Sequence, residues 1–236
     1  MQKSKSSLQS GRIQRRVLLF IRAPEVGRVK TRLEKKMDAA TVLMLYQCFV
    51  QDIIETLTTG GYTITAYFTP SHKESIVQEW LGCATHIQAQ TGRRLGVKMR
   101  NAFSDIFARD VNQAVLMGSD FPDIDIRIVD EAFAVLQKKD VVIGPAEDGG
   151  YNLIGFSKNV FNNGVFSGID WGTASVFRQT MGQIHEAGLS CHVLPSWQDI
   201  DTHDDLVAFY HRSKASGLTH LKTMKLLERL NLKGFQ

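Results

Sequence analysis

The sequence predicts a three-layer α/β/α sandwich around a mainly parallel mixed sheet. Three observations carry that expectation. Short apolar runs alternate with amphipathic stretches of helical period from Val17 to Leu230, the pattern of strands joined by helical crossovers. Some runs, such as Ala114–Met117, are apolar throughout, as in a sheet covered on both faces. Polar clusters follow directly on several of them, and ligands of open α/β sheets bind beyond the carboxyl ends of the strands.

Taken in order, Val17–Ile21 is a first strand. Asp38 caps a long helix to about Thr58, with Val42, Leu45, Tyr46, Phe49, Ile53 and Leu57 on one stripe and Gly60-Gly61 at its end. The β-branched run Thr63–Phe68 is a strand, Ser71–Leu81 a short amphipathic helix and Ala84–Ala89 a further strand. Leu95–Ala108 is helical through Met99, Ala102, Phe103, Ile106 and Phe107, and Ala114–Met117 is a strand. Ile126–Lys138 is a helix, Val141–Ile143 and Tyr151–Phe156 are strands, Thr173–Ala187 a helix and Cys191–Leu194 a strand. Helices at His203–Arg212 and Thr219–Leu230 follow. The last carries Leu221, Met224, Leu227 and Leu230 on one stripe, which fits packing on its own body or on a second copy, leaving a homodimer open.

The 236 residues are 43% hydrophobic and 22% charged, ordinary for a globular protein. The net charge of +4 is unevenly placed: residues 1–35 hold ten Lys/Arg against two Asp/Glu, and the remainder 18 against 22. A local anion site and a basic tail fit this better than a nucleic-acid-binding face. Residues 1–16 read as a disordered basic tail and 17–236 as a single domain. The five-residue run Val17–Ile21 is too short for a signal-peptide core or a membrane span. Cys48, Cys83 and Cys191 are scattered and read as buried free thiols of a reducing, cytoplasmic compartment.

Four strand-end clusters hold the candidate chemistry. After Ile21 comes a Pro/Gly loop with Arg22, Gly27, Arg28, Lys30 and Arg32, where a turn backbone and several cations suit a polyphosphate. After Met117 comes Gly118-Ser119-Asp120, after Ile143 the segment Glu147-Asp148-Gly149-Gly150, and after Leu194 the run Asp199-Ile200-Asp201. Cations at one strand end and carboxylates at others meet the needs of a metal-bound nucleotide. Asp120 is the foremost metal candidate, a turn cap being the alternative. Asp148 fits a hairpin turn equally well. Asp199 and Asp201 alternate along an extended segment, so one of them is a second metal candidate, and Asp204 can cap the next helix. His203 reads as a helix-start residue. No Walker pattern, serine-nucleophile elbow or metal-spaced histidine set occurs.

In this order the clusters resemble a known family. They are Arg22-Ala-Pro24-Glu-Val-Gly27-Arg-Val29-Lys30-Thr31-Arg32-Leu33, Gln90-Thr-Gly92-Arg-Arg-Leu95-Gly96-Val-Lys-Met99, Gly118-Ser119-Asp120-Phe-Pro122, Gly144-Pro145-Ala146-Glu-Asp148-Gly149-Gly150-Tyr151, Phe166-Ser-Gly168-Ile169-Asp-Trp171-Gly172-Thr173 and Asp199-Ile-Asp201-Thr202. The chain is similar to the bacterial DUF2064 transferases, also called radical-SAM/selenodomain-associated transferase 1, of the nucleotide-diphospho-sugar transferase superfamily with a GT-A, Rossmann-like fold. Arg22 stands where that family usually has Lys. The resemblance implies a transferase using Mg2+ or Mn2+ on a nucleoside triphosphate or nucleotide sugar with a small-molecule acceptor. It implies nucleotide or phosphate contacts from Arg22, Gly27, Lys30, Arg32, Gln90 and Gly118, and a substrate pocket lined by Tyr151, Trp171 and Thr173. Asp120 would bind the metal, Asp201 would complete that site or face the acceptor, and Asp148 would share the catalytic work. Trp171 is as compatible with a core position as with stacking on a base or sugar. Nucleotidyl and glycosyl transfer both remain open, with a catalytically inactive nucleotide-binding or regulatory protein as the alternative.

Overall fold

The computed structural model describes residues 13–83 and 85–230. The strands are β1 (Arg15–Arg22), β2 (Ile64–Thr69), β3 (His86–Ala89), β4 (Gln113–Met117), β5 (Val141–Pro145), β6 (Tyr151–Ser157) and β7 (Cys191–Val193). The helices are α1 (Ala39–Thr59), α2 (Glu74–Leu81), α3 (Leu95–Phe107), α4 (Ile126–Val135), α5 (Val176–Glu186), α6 (His203–Ala215) and α7 (Lys222–Leu230). The strands form one sheet of order β3-β2-β1-β4-β6-β5-β7. Only β6 runs against its neighbours β4 and β5, so the sheet is mixed and mainly parallel, as the sequence predicts. The order reverses between β1 and β4, which makes their shared carboxyl edge the switch point where such sheets open a crevice.

Alternation along β1 separates the two cores. Val17, Leu19 and Ile21 face Tyr46, Val50, Ile53 and Leu57 of α1, with Val77 of α2 and Phe133 of α4 in the same cluster. Leu18 faces the other way, towards Met99, Phe103 and Ile106 of α3 and Ile184 of α5. A third cluster joins Val42, Leu45 and Phe49 of α1 to Phe209 of α6 and to Met224 and Leu227 of α7. The last helix therefore packs on its own body. Asp52, inside α1 and 2% exposed, accepts hydrogen bonds from the backbone N–H groups of Lys222 (2.7 Å) and Thr223 (2.9 Å) and from the Thr223 hydroxyl (2.6 Å), capping α7 from another helix.

Several boundaries differ from the sequence reading, for local reasons. β1 starts at Arg15, inside the stretch read as a tail, because Arg15 and Arg16 pair with Gln113 and Ala114; residues 1–12 lie outside the described residues. After Val135 the Gln137 and Lys138 N–H groups donate to the Ala134 and Val135 carbonyls in tighter i→i+3 turns, which ends α4 short of Lys138. α5 begins at Val176 because the Thr173 hydroxyl donates to the Asp170 carbonyl (2.8 Å) in a preceding turn. Thr202, rather than Asp204, caps α6, in a reciprocal box with Asp205. His203 is its first residue, as expected. Cys83 is exposed and Cys48 and Cys191 are half-buried, so the expectation of buried thiols does not hold.

Candidate functional site

A cavity of about 1120 Å³ opens at the carboxyl edge of the sheet. The residues to which the resemblance gives a catalytic, metal or ligand role all line it: Arg22, Gly27, Lys30, Arg32, Gln90, Gly118, Asp120, Asp148, Tyr151, Trp171, Thr173 and Asp201; Glu147 and Asp204 of the strand-end clusters do not.

The loop after β1 is shaped around Lys30. Gly27 has φ +72° with no atom within 4 Å of an added Cβ, so backbone conformation rather than crowding calls for glycine there. Lys30 has φ +47°, the one positive φ outside glycine among the described residues. That conformation costs roughly 1–2 kcal/mol for a residue with a Cβ. It carries the side chain inward, where only 7% of it is exposed, and places Nζ 2.5 Å from Asp120 Oδ1 and 2.8 Å from Asp201 Oδ1. Burial works against the charge of Lys30, yet the two carboxylates outweigh it and hold its pKa above the ordinary value. Asp201, which also meets Arg32 at 3.3 Å, is held below the usual carboxylate range because these cations outweigh its burial. The sequence assigned Lys30 to phosphate and the two aspartates to metal; in the folded chain the three are one cluster.

Asp199 lines the same cavity. Burial, then the charges of Asp201 and Asp148, push its pKa up to about 6. Asp148 is exposed in the β5–β6 turn, its Oδ1 accepting from the Gly150 N–H at 2.9 Å, so the hairpin reading describes its backbone well. Gly149 at φ +88° brings that turn against Ala174, whose carbonyl oxygen would lie 2.2 Å from an added Cβ. Gln90 donates its amide to the carbonyls of Tyr67 (2.8 Å) and Ile21 (3.3 Å), so its Oε1 is what remains for a ligand. Trp171 both packs into the core and lines the cavity. Its ring lies over Gly96, where an added Cβ would sit 2.7 Å from it, and meets Tyr151 edge-on at 6.3 Å.

Arg212, and the role of Asp123 at the end of the cluster after Met117, escape the sequence reading. Arg212 of α6 donates from Nε to Asp123 Oδ2 (2.7 Å), from Nη2 to Asp123 Oδ1 (3.3 Å) and from Nη1 to Gln198 Oε1 (3.0 Å). Asp123 also accepts from Trp197 Nε1 at 3.3 Å. With the Ile200 N–H donating to the Asp120 carbonyl at 2.8 Å, these bonds bind the segment bearing Asp199 and Asp201 to the one bearing Asp120. The partners are 89 residues apart, and no local pattern marks them.

No group of three or more His, Cys, Asp or Glu side chains poised for a metal occurs among the described residues. Asp120 and Asp201 nevertheless converge on one cation, the Lys30 ammonium, with about two-fifths of each carboxylate open to solvent. Two hard oxygen donors facing a cavity suit Mg2+ or Mn2+ that completes its shell with phosphate oxygens and water. The donor set therefore fits the metal implied by the resemblance.

Residues 53–173 match the family described as uncharacterized proteins conserved in bacteria, DUF2064. The chain is 37% identical to a candidate nucleotide-diphospho-sugar transferase from Desulfovibrio desulfuricans G20, with a TM-score of 0.89 over 93% of this chain and 96% of that one. It shares its fold with 4-diphosphocytidyl-2C-methyl-D-erythritol synthase of Anaerococcus prevotii at 11% identity (TM-score 0.57; 86% and 99% covered). The manganese complex of Rv0371c from Mycobacterium tuberculosis is similar at 15% identity (TM-score 0.50; 84% and 97% covered). No curated protein matches the sequence. The fold is thus that of nucleotide-diphospho-sugar transferases and nucleotidyltransferases. Among the described residues no helix is long and apolar enough to cross a membrane.

Proposed function

Because the chain belongs to the bacterial DUF2064 family, we propose that it is a metal-dependent nucleotidyltransferase, transferring a nucleotidyl group from a nucleoside triphosphate to a small-molecule acceptor. The observation that carries this reading is the convergence of Asp120 and Asp201 on Lys30, beside a loop that adds Arg28 and Arg32 to the same cavity. A divalent ion held by Asp120 and Asp201 would supply charge neutralisation and polarise a phosphoryl oxygen. The protein's own cations do the remaining electrostatic work. Arg28 is exposed in the cavity without an acidic partner among the described residues and is placed to meet the β- and γ-phosphates. Lys30 exchanges its carboxylates for phosphate oxygens, so negative charge accumulating on the pyrophosphate leaving group meets cations already in place. Gly118 and Gln90 Oε1 face the nucleotide. Tyr151, Trp171 and Thr173 form the opposite wall, where Asp148 faces the acceptor.

A second reading, glycosyl transfer from a nucleotide sugar, is favoured by the relative at 37% identity and by the Trp171–Tyr151 wall, on which a sugar ring can stack. Thermal-shift titration with nucleoside triphosphates and nucleotide sugars, each with and without manganese, tests both. The expected result is stabilisation by one triphosphate with manganese, loss of that response in Asp120→Ala, and pyrophosphate release when an acceptor is supplied. Stabilisation by nucleotide sugars alone, with slow release of the sugar, favours the second reading. If neither ligand type binds, the transferase reading fails.

A further inference from the structure

Charge is segregated across the cavity in the order of the strands. Asp120 follows β4, Asp148 joins β5 to β6, and Asp199 and Asp201 follow β7, so all four carboxylates of the wall lie on one side of the switch point. Arg22 ends β1, while Arg93 and Lys98 follow β3, on the other side. Arg22 and Arg93 have no side-chain partner among the described residues, and Lys98 donates only to the Thr69 hydroxyl, at 3.3 Å. Burial and then the neighbouring Arg22 charge lower the pKa of Lys98, as for cations crowded together without an anion. Thr69 pairs with Arg22 on the adjacent strand. Lys98, held at Thr69 on β2, therefore lies about two strand spacings, roughly 10 Å, from the β4 end that bears Asp120, with Arg22 on β1 between them. α3 starts beside it with no side-chain cap, which adds uncapped N–H groups of the same sign.

We propose that Arg22, Arg93 and Lys98 form a second anion subsite, independent of metal, that takes the phosphate group of a phosphorylated acceptor. Three cations, two with forked donors, suit a phosphate dianion. Because none of the three is ion-paired among the described residues and the nearby Glu25 is held by Lys73 at 2.7 Å, the subsite holds its anion directly, unlike the Asp120 side, where a metal would come between. A triphosphate anchored at Asp120 and Arg28 leaves this group of charges unmatched, and a phosphate on the second substrate matches it. Assigning the anion to the acceptor rests on the nucleotidyl-transfer reading; the existence of the subsite does not.

The test is calorimetric titration of the full-length protein with inorganic phosphate in EDTA. Lys98→Gln is expected to weaken binding about tenfold, the loss of one charge-assisted hydrogen bond. Arg93→Gln, at an exposed position where folding is not at risk, is expected to weaken it too, and Asp120→Asn to leave it within about twofold. Unchanged phosphate affinity in both Lys98→Gln and Arg93→Gln overturns the subsite, as does loss confined to Asp120→Asn. Repeating the titration after saturation with a nucleoside triphosphate and manganese decides the occupant. Retained phosphate binding supports the acceptor, and abolished binding gives the subsite to the nucleotide and overturns that assignment. Failure of the triphosphate to bind defeats the nucleotide reading alone, because the EDTA titration still decides the subsite.

Discussion

Replacing Lys30 by Met removes the cation on which the candidate site converges and leaves a side chain of similar length. The Cβ is retained, so the backbone strain at φ +47° is common to both proteins. Losing one partner of a buried ion pair costs about 3–5 kcal/mol, whereas an exposed pair contributes about 0–1 kcal/mol. Here the ammonium is buried but its carboxylates are 41% and 39% exposed, so an intermediate cost of about 2 kcal/mol is expected. For a chain of this length that lowers Tm by roughly 6 °C. The pH window follows from the directions of the shifts. The pKa of Lys30 is raised, so its contribution is complete below its unfolded value and disappears as pH rises through the folded one. The pKa of Asp201 is lowered, so its contribution is present above its unfolded value and disappears as pH falls through the folded one. The deficit of Lys30→Met is therefore expected in full between about pH 4 and 10, and fades only as pH falls through the lowered Asp201 value or rises through the raised Lys30 value. Manganese should act in the opposite sense. Without a competing ammonium, Asp120 and Asp201 bind it more tightly, and a ligand at a hundred times its Kd adds about 2.7 kcal/mol. The assay is urea unfolding of both proteins in EDTA and in manganese across that range. Equal stability in EDTA at pH 7, or an equal manganese increment in both proteins, refutes the reasoning.

Two further outcomes follow from the same geometry. The pKa of Asp199 is raised to about 6, so its contribution to stability is present below the unfolded value and lost as pH rises through about 6. Asp199→Asn should then stabilise the protein by about 1–2 kcal/mol at pH 7.5, after discounting for partial exposure, by roughly a third of that at pH 4.5, and by close to nothing at about pH 3; a pH-independent effect in urea unfolding would contradict this. Gly149→Ala forces a Cβ against the Ala174 backbone at a positive φ and should cost at least about 2 kcal/mol. Gly150→Ala, whose Cβ meets only the Asp148 side chain, should cost less, and equal unfolding midpoints for the two variants would count against the close approach.

The alternation of strands and helices was legible because both are periodic in sequence. Val17, Leu19 and Ile21 divide from Leu18 by side-chain direction alone, and Asp38 caps α1 through a bond to the Thr41 N–H three residues on. The strand-end clusters were legible for a related reason. Parallel strands deliver their carboxyl ends to one edge, so cations after Ile21 and carboxylates after Met117 and Leu194 had to meet there. Errors arose where a boundary depends on a neighbour: α7 starts where Asp52 of α1 caps it, and β1 starts where Gln113 offers a partner.

What the sequence determined by itself is the edge of the sheet that holds the cavity and the kinds of charge that face it, because both depend on the periods of strand and helix. What only tertiary structure decided is how those charges are matched. The Arg212–Asp123 bond spans 89 residues, and Lys30 reaches its partner Asp201 across 171. Such pairings depend on distances between elements, which no local pattern carries. They turn a cationic loop and a set of carboxylates into one cluster, and leave Arg22, Arg93 and Lys98 on the β1–β3 side of the cavity without ion-pair partners among the described residues.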